Sequence, residues 1–111
     1  LFVCTVMMLI AFHWNHWKIE KLSVNPLLGP KPEVLMLLGA LQMREMVESD
    51  SWYRLVSAVF LHGGILHLLV NLVVLGLLGR AVERNHGPVD TAILFFTSAI
   101  GGNIISCLMQ P

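Results

Sequence analysis

The chain has 111 residues, 56% of them hydrophobic and only 13% charged, with a formal net charge of zero. A soluble domain is ordinarily nearer a quarter charged, so this composition points to lipid rather than water as the main solvent. Scattered basic residues and zero net charge argue against nucleic acid as a partner.

Asp, Glu, Lys and Arg are absent from residues 1–17, 55–79 and 91–111. An uncharged apolar run of roughly 18 residues is enough to cross the bilayer core as a helix, at about 1.5 Å per residue. The second and third runs pass that test. The first is apolar only over residues 1–12, and reads as the end of a span whose beginning is missing. It has no basic n-region and no small-residue cleavage site, so a secretory signal is set aside. A start at Leu and a stop at Gln110-Pro111 directly after an apolar run make truncation at both ends the expectation.

Trp14 and Trp17 follow the first span and mark a membrane–water interface, where amphipathic rings favour the headgroup level. His13 and His16 lack a third ligand nearby, so an interfacial role is preferred to a metal site. Residues 18–54 form the polar loop, with turn signals at Asn25-Pro26 and Gly29-Pro30. Pro32 and Glu33 suit the first turn of a short helix. Residues 34–41 are apolar but too short to cross, and are expected to lie half submerged in the interface. Trp52, Tyr53 and Arg54 look like an aromatic belt with a snorkelling arginine.

Gly63-Gly64 interrupts the second run, because adjacent glycines are poor helix-interior residues. The spacing predicts a helix from about residue 64 to 82, preceded by an approach segment over 55–61. Gly87-Pro88 is a stop within an expected loop 80–89, and a third helix is expected over 90–110. On it Ser98, Gly102 and Ser106 recur every four residues, a groove of small side chains flanked by Gly101 and Asn103. Cys4 and Cys107 read as small buried residues with no pairing implied.

His67 and Asn71 stand four apart on one face of the second helix. Polar side chains within a membrane are costly unless partnered or hydrated, and so face the bundle interior or a functional site. Two readings stay open on spacing alone: interhelical hydrogen bonding worth about 1 kcal/mol, or chemistry. A zinc site is disfavoured, since no carboxylate lies between His62 and His67, and a helical spacing of five would point them apart. No metal or cofactor is expected. Glu83 and Arg84 alone are ordinary interface charges.

Taken together, the run from Trp52 and Arg54 through His62, His67 and Asn71 to Gly79 and Glu83 resembles the rhomboid family of intramembrane serine proteases. The matching elements are W-R in the first loop, H-x-x-x-x-H-x-x-x-N on the helix, and G-x-x-x-E at its end. Asn25-Pro26, Gly29-Pro30 and Leu38-Gly39-Ala40 are similar to the first loop of eukaryotic members. The resemblance implies an all-α membrane protein: a fragment of a six-helix bundle that is multi-pass and integral to the bilayer. Residues 1–17 would be the end of helix 1 and its interface, 18–54 the partly submerged first loop, 55–82 the approach and helix 2, and 90–110 helix 3.

It also implies a Ser-His dyad acting on transmembrane protein substrates, with both dyad residues beyond this chain. His67 and Asn71 would then donate hydrogen bonds to the oxyanion. Trp52, Arg54, His62 and Glu83 would be structural, and Ser98, Gly102 and Ser106 would pack helices. A catalytically inactive rhomboid-like binder of transmembrane clients is the alternative, and an unrelated transporter or channel a more distant one. Counting Lys and Arg would put the first loop in the cytoplasm, opposite to the orientation the resemblance implies.

Overall fold

The computed structural model describes residues 1–109 and, among them, consists of helices joined by turns. The final residues of the expected third helix, Gln110 and Pro111, lie outside the described residues.

Helix α1, Phe2–Trp14, presents Cys4, Met8 and Phe12 on one stripe at four-residue spacing. That stripe packs against Leu68, with Phe60, Ile65 and Leu72 around it, and this is the core of the chain. The helix ends sharply because His16 and Trp17 both take left-handed backbone conformations, at φ 56° and 58°. The Trp17 amide then folds back to the Phe12 carbonyl at 2.7 Å. Such reversed conformations are the usual way to close a helix C-terminus, though glycine rather than His or Trp normally supplies them.

The first loop holds three short helices: α2 (Pro32–Leu37), α3 (Met43–Glu48) and α4 (Arg54–Ser57). The α2 start at Pro32 follows from proline's fixed φ at a position whose amide has no helical partner. Helix α3 was not anticipated from composition. Its Arg44–Glu48 pair at 2.8 Å and the bond from Ser49 Oγ to the Glu45 carbonyl at 2.6 Å are local. Burial of Met46 anchors it.

Beyond the loop come α5 (Ile65–Val74), a wider π-type segment (Leu75–Gly79) and α6 (Arg80–Met109). α6 is two helical pieces meeting at Gly87, whose φ of 82° and ψ of 166° are non-helical. The loop expected over 80–89 is therefore corrected to a single-residue reversal. Helical hydrogen bonding continues through His86, and Pro88 opens the next helix directly, which needs no amide donor at that position. Thr91 Oγ1 donates to the Gly87 carbonyl at 2.7 Å and steadies the corner.

The piece after Gly87 packs on the segment that precedes α5. Phe96 meets Phe60 edge-on at 6.0 Å, and Asn103 Nδ2 donates to the Leu55 carbonyl at 2.8 Å. Between the two pieces and the start of α1 lies an open, mostly apolar cleft of about 700 Å³, reaching from Gly76 to Phe96. The stretch Ile65–Met109 is long and apolar enough to cross a membrane, yet only 6% of its most apolar window is buried within the chain. An apolar surface on this scale belongs against lipid or further helices.

Candidate active site

The helix carrying His67 and Asn71 begins at Ile65 because residues 62–64 are held outside helical geometry by the first loop. Gly63 and Gly64 lie flat against Leu27 and Gly29, so closely that a side chain at Gly64 would overlap the Leu27 carbonyl. A side chain at Gly29 would likewise overlap the Gly63 carbonyl and approach Gly64 Cα to 2.8 Å. Glycine is required on both sides because backbone meets backbone.

The contact also satisfies the helix start. The first amides of a helix have no partner within it. Here Ile65 N–H donates to the Leu28 carbonyl and Leu66 N–H to the Leu27 carbonyl, each at 3.2 Å. The first loop therefore serves as the N-terminal cap of the polar helix.

His67 and Asn71 emerge from this fixed start, about 100° round the helix from the Leu68 and Leu72 stripe that faces α1. His67 is exposed and Asn71 half-exposed. Asn71 Nδ2 donates to the His67 carbonyl one turn back, at 2.8 Å. An amide has two N–H donors, so one remains for another acceptor.

The expectation that His62 and His67 point apart is corrected. Their rings lie 5.2 Å apart, edge to face. The helical-spacing argument fails because His62 precedes the helix and is turned by Gly63-Gly64. His62 Nδ1 is buried and has no hydrogen-bond partner among the described residues. Burial first, and His67 second, hold the His62 imidazole below its ordinary value of 6.5, against an opposing backbone hydrogen bond at Phe60. The neutral ring is the form this site favours.

Arg54 is not a snorkelling surface residue. It is buried, at 8% exposure. Its Nε donates to Ser51 Oγ at 3.1 Å, and one Nη donates to the Met36 and Ala40 carbonyls at 2.8 and 3.0 Å. These bonds tie α4 to the end of α2. Ser57 adds a parallel tie, its Oγ donating to the Gly39 carbonyl at 2.7 Å. Trp52 remains exposed, with its indole N–H on Asp50 at 2.7 Å.

Glu83 is exposed on the rim of the apolar cleft and makes no side-chain hydrogen bond among the described residues. Ser98 and Gly102 are exposed and Ser106 is half-buried. Nothing lies within 4 Å of where a Gly102 side chain would begin. No described helix of this chain fills that groove.

Two residues escaped the sequence reading. Asn25 Nδ2 donates to the Pro30 carbonyl at 2.9 Å and to the Gly63 carbonyl at 2.7 Å, while its Oδ1 accepts from Leu27 N–H at 3.0 Å. Asn15 Nδ2 bonds the Lys18 carbonyl at 2.7 Å and Glu20 at 3.0 Å, and its Oδ1 accepts from Lys31 N–H at 3.3 Å. The Asn-Pro turn signal was visible, but a partner 38 residues away has no local signature.

The rhomboid-domain family model matches residues 49–111, which covers the polar helix and everything after it. The chain belongs to the rhomboid family. RHOMBOID-like protein 4 of Arabidopsis thaliana is 40% identical over 94 residues, covering 85% of this chain and 24% of that protein. Rhomboid-like protease 3 of Toxoplasma gondii is 40% identical over 82 residues, covering 74% of this chain and 31% of its own length. Inactive RHOMBOID-like protein 8 of Arabidopsis thaliana is 33% identical over 94 residues, covering 85% and 27% respectively. The chain thus spans about a quarter to a third of these curated relatives. No solved structure matches it.

Proposed function

We propose that this chain is part of an intramembrane serine protease that cleaves transmembrane proteins near the membrane surface, with its Ser-His dyad on helices that follow. His67 and Asn71 are its oxyanion donors. The observation that carries this reading is their placement in the first turns of a membrane helix, on a face that α1 leaves open. A serine oxygen attacking a peptide carbonyl puts negative charge on the carbonyl oxygen. Donors already aimed there need not reorganise, and each is worth roughly 3 kcal/mol of barrier. The His67 ring has an N–H to give, and Asn71 has the N–H not used on its own helix.

Trp52 and Arg54 tie the first loop down, His62 is structural beside the glycine step, Glu83 holds the turn at the far end of the helix, and the Ser98–Gly102–Ser106 groove receives a neighbouring helix.

The second reading, an inactive binder of transmembrane clients, is favoured by the 33% identity to a relative named as inactive. Both readings are separated by one experiment. The full-length protein is reconstituted in vesicles with a fluorescent transmembrane substrate, beside His67→Ala, Asn71→Ala and the double variant. The protease reading expects cleavage by the wild type, a loss of about 100-fold for a single donor, and intact insertion throughout. Client capture without cleavage supports the binder. Full cleavage by the double variant removes the oxyanion assignment.

A further inference from the structure

The Asn25–Pro30 turn does more than close a loop. Its backbone carbonyls cap the helix that bears His67 and Asn71, and its one buried amide side chain reaches the glycine step just before that helix. Leu28, whose carbonyl takes the Ile65 amide, sits in the left-handed region at φ 56°. A leucine holds that conformation only when its surroundings over-determine it. Those surroundings are Asn25, whose bonds with Pro30 and Leu27 fold the turn and whose bond to Gly63 ties it to the glycine step, and Glu20, whose amide donates to the Gly29 carbonyl at 3.1 Å.

We infer that Asn25 is a positioning residue for the oxyanion site: through Gly63 and the Leu27 and Leu28 carbonyls it sets where the polar helix starts and holds the first turn, on which His67 stands. This rests on the protease reading above. The physical reason lies in the helix start. The first amides of a helix have no partner within it, so an unheld start leaves its first turn free to fray or re-form in another geometry. Leu68 and Leu72 against α1 fix the azimuth of the helix body, but the first turn, which carries His67, is held at its amino-terminal side only by the loop. Pinning the Gly63 carbonyl to Asn25, and the Ile65 and Leu66 amides to the loop, leaves one start. Catalytic donors displaced by about 1 Å lose on the order of 100-fold in rate while substrate binding elsewhere persists.

The test uses the full-length protein in vesicles, with kcat and KM measured on the same transmembrane reporter. Asn25→Ala is expected to lower kcat by about 10- to 100-fold with KM within about twofold. Acting through His67, it should add little to His67→Ala: the double variant should fall within about threefold of the single. A merely structural role would instead multiply the two losses, and that result overturns the proposal.

Asn25→Asp supplies a pH readout if Asn25→Ala folds poorly. A protonated carboxyl can donate to the Gly63 carbonyl and an ionised one cannot, so the variant's kcat relative to wild type should recover as pH falls. A flat ratio overturns the positioning role. Cleavage by wild type together with normal kcat in both variants sinks this inference and leaves the protease reading standing. A wild type that cuts nothing removes both.

Discussion

Arg54→Ala tests the structural logic of the first loop most directly. The guanidinium is buried and supplies three hydrogen bonds, to Ser51 Oγ and to the Met36 and Ala40 carbonyls. Hydrogen bonds from a charged donor contribute about 1.5–3 kcal/mol each in net terms. They share one side chain and are not additive. The Met36 carbonyl also keeps the Gly39 amide at 3.2 Å, so it is not orphaned. The Ala40 carbonyl and Ser51 hydroxyl lose a partner, although Ser51 still reaches Glu45 at 3.0 Å. A net loss of about 3 kcal/mol follows, the lower end of what two such bonds provide.

In the full-length protein this corresponds to a fall in Tm of roughly 6–12 °C for a domain of a few hundred residues. Arg54→Lys should recover about half, because an ammonium can reach the carbonyls but cannot also place a planar N–H on Ser51. The assay is thermal unfolding in a mild detergent, followed by circular dichroism. A Tm for Arg54→Ala within about 1 °C of wild type would refute the claim that this side chain holds α2 to α4.

Gly64→Ala places a methyl group against the Leu27 carbonyl, backbone that has no rotamer to yield. Its φ of 176° is open to any residue, so the whole cost is steric. Loss of about 3 kcal/mol is expected, read as a large fall in Tm or in folded yield. Gly87→Ala is the opposite case: nothing lies within 4 Å of the added carbon, but φ is 82°. Only the backbone penalty should appear, about 1–3 kcal/mol because φ 82° with ψ 166° is a conformation almost confined to glycine, read as a Tm lower by roughly 2–12 °C. For His62 the imidazole value is lowered by burial, so the folded state favours the neutral ring. Its stabilisation is present above the ordinary value of 6.5 and is lost as pH falls through the lowered folded value. The wild-type Tm should therefore drop on acidification more than that of His62→Gln, and equal slopes would contradict the assignment.

Much of this protein was legible along the chain because membrane solvation writes itself into local composition. The charge-free runs, the Gly63-Gly64 interruption and the His67–Asn71 spacing are one-dimensional signals. So is proline at the head of α2. The family resemblance rested on the same spacing. Three features were decided only in three dimensions. Arg54 reads as a surface cation until α2 and α4 close over it. The reversal between the two long helices needs one residue instead of a ten-residue loop, because Gly87 can take positive φ and Pro88 can start a helix at once. The start of the polar helix, finally, is set by Asn25 from a loop 38 residues earlier. Hydrogen bonds across that distance depend on which backbones approach closely, and sequence periodicity carries no record of that.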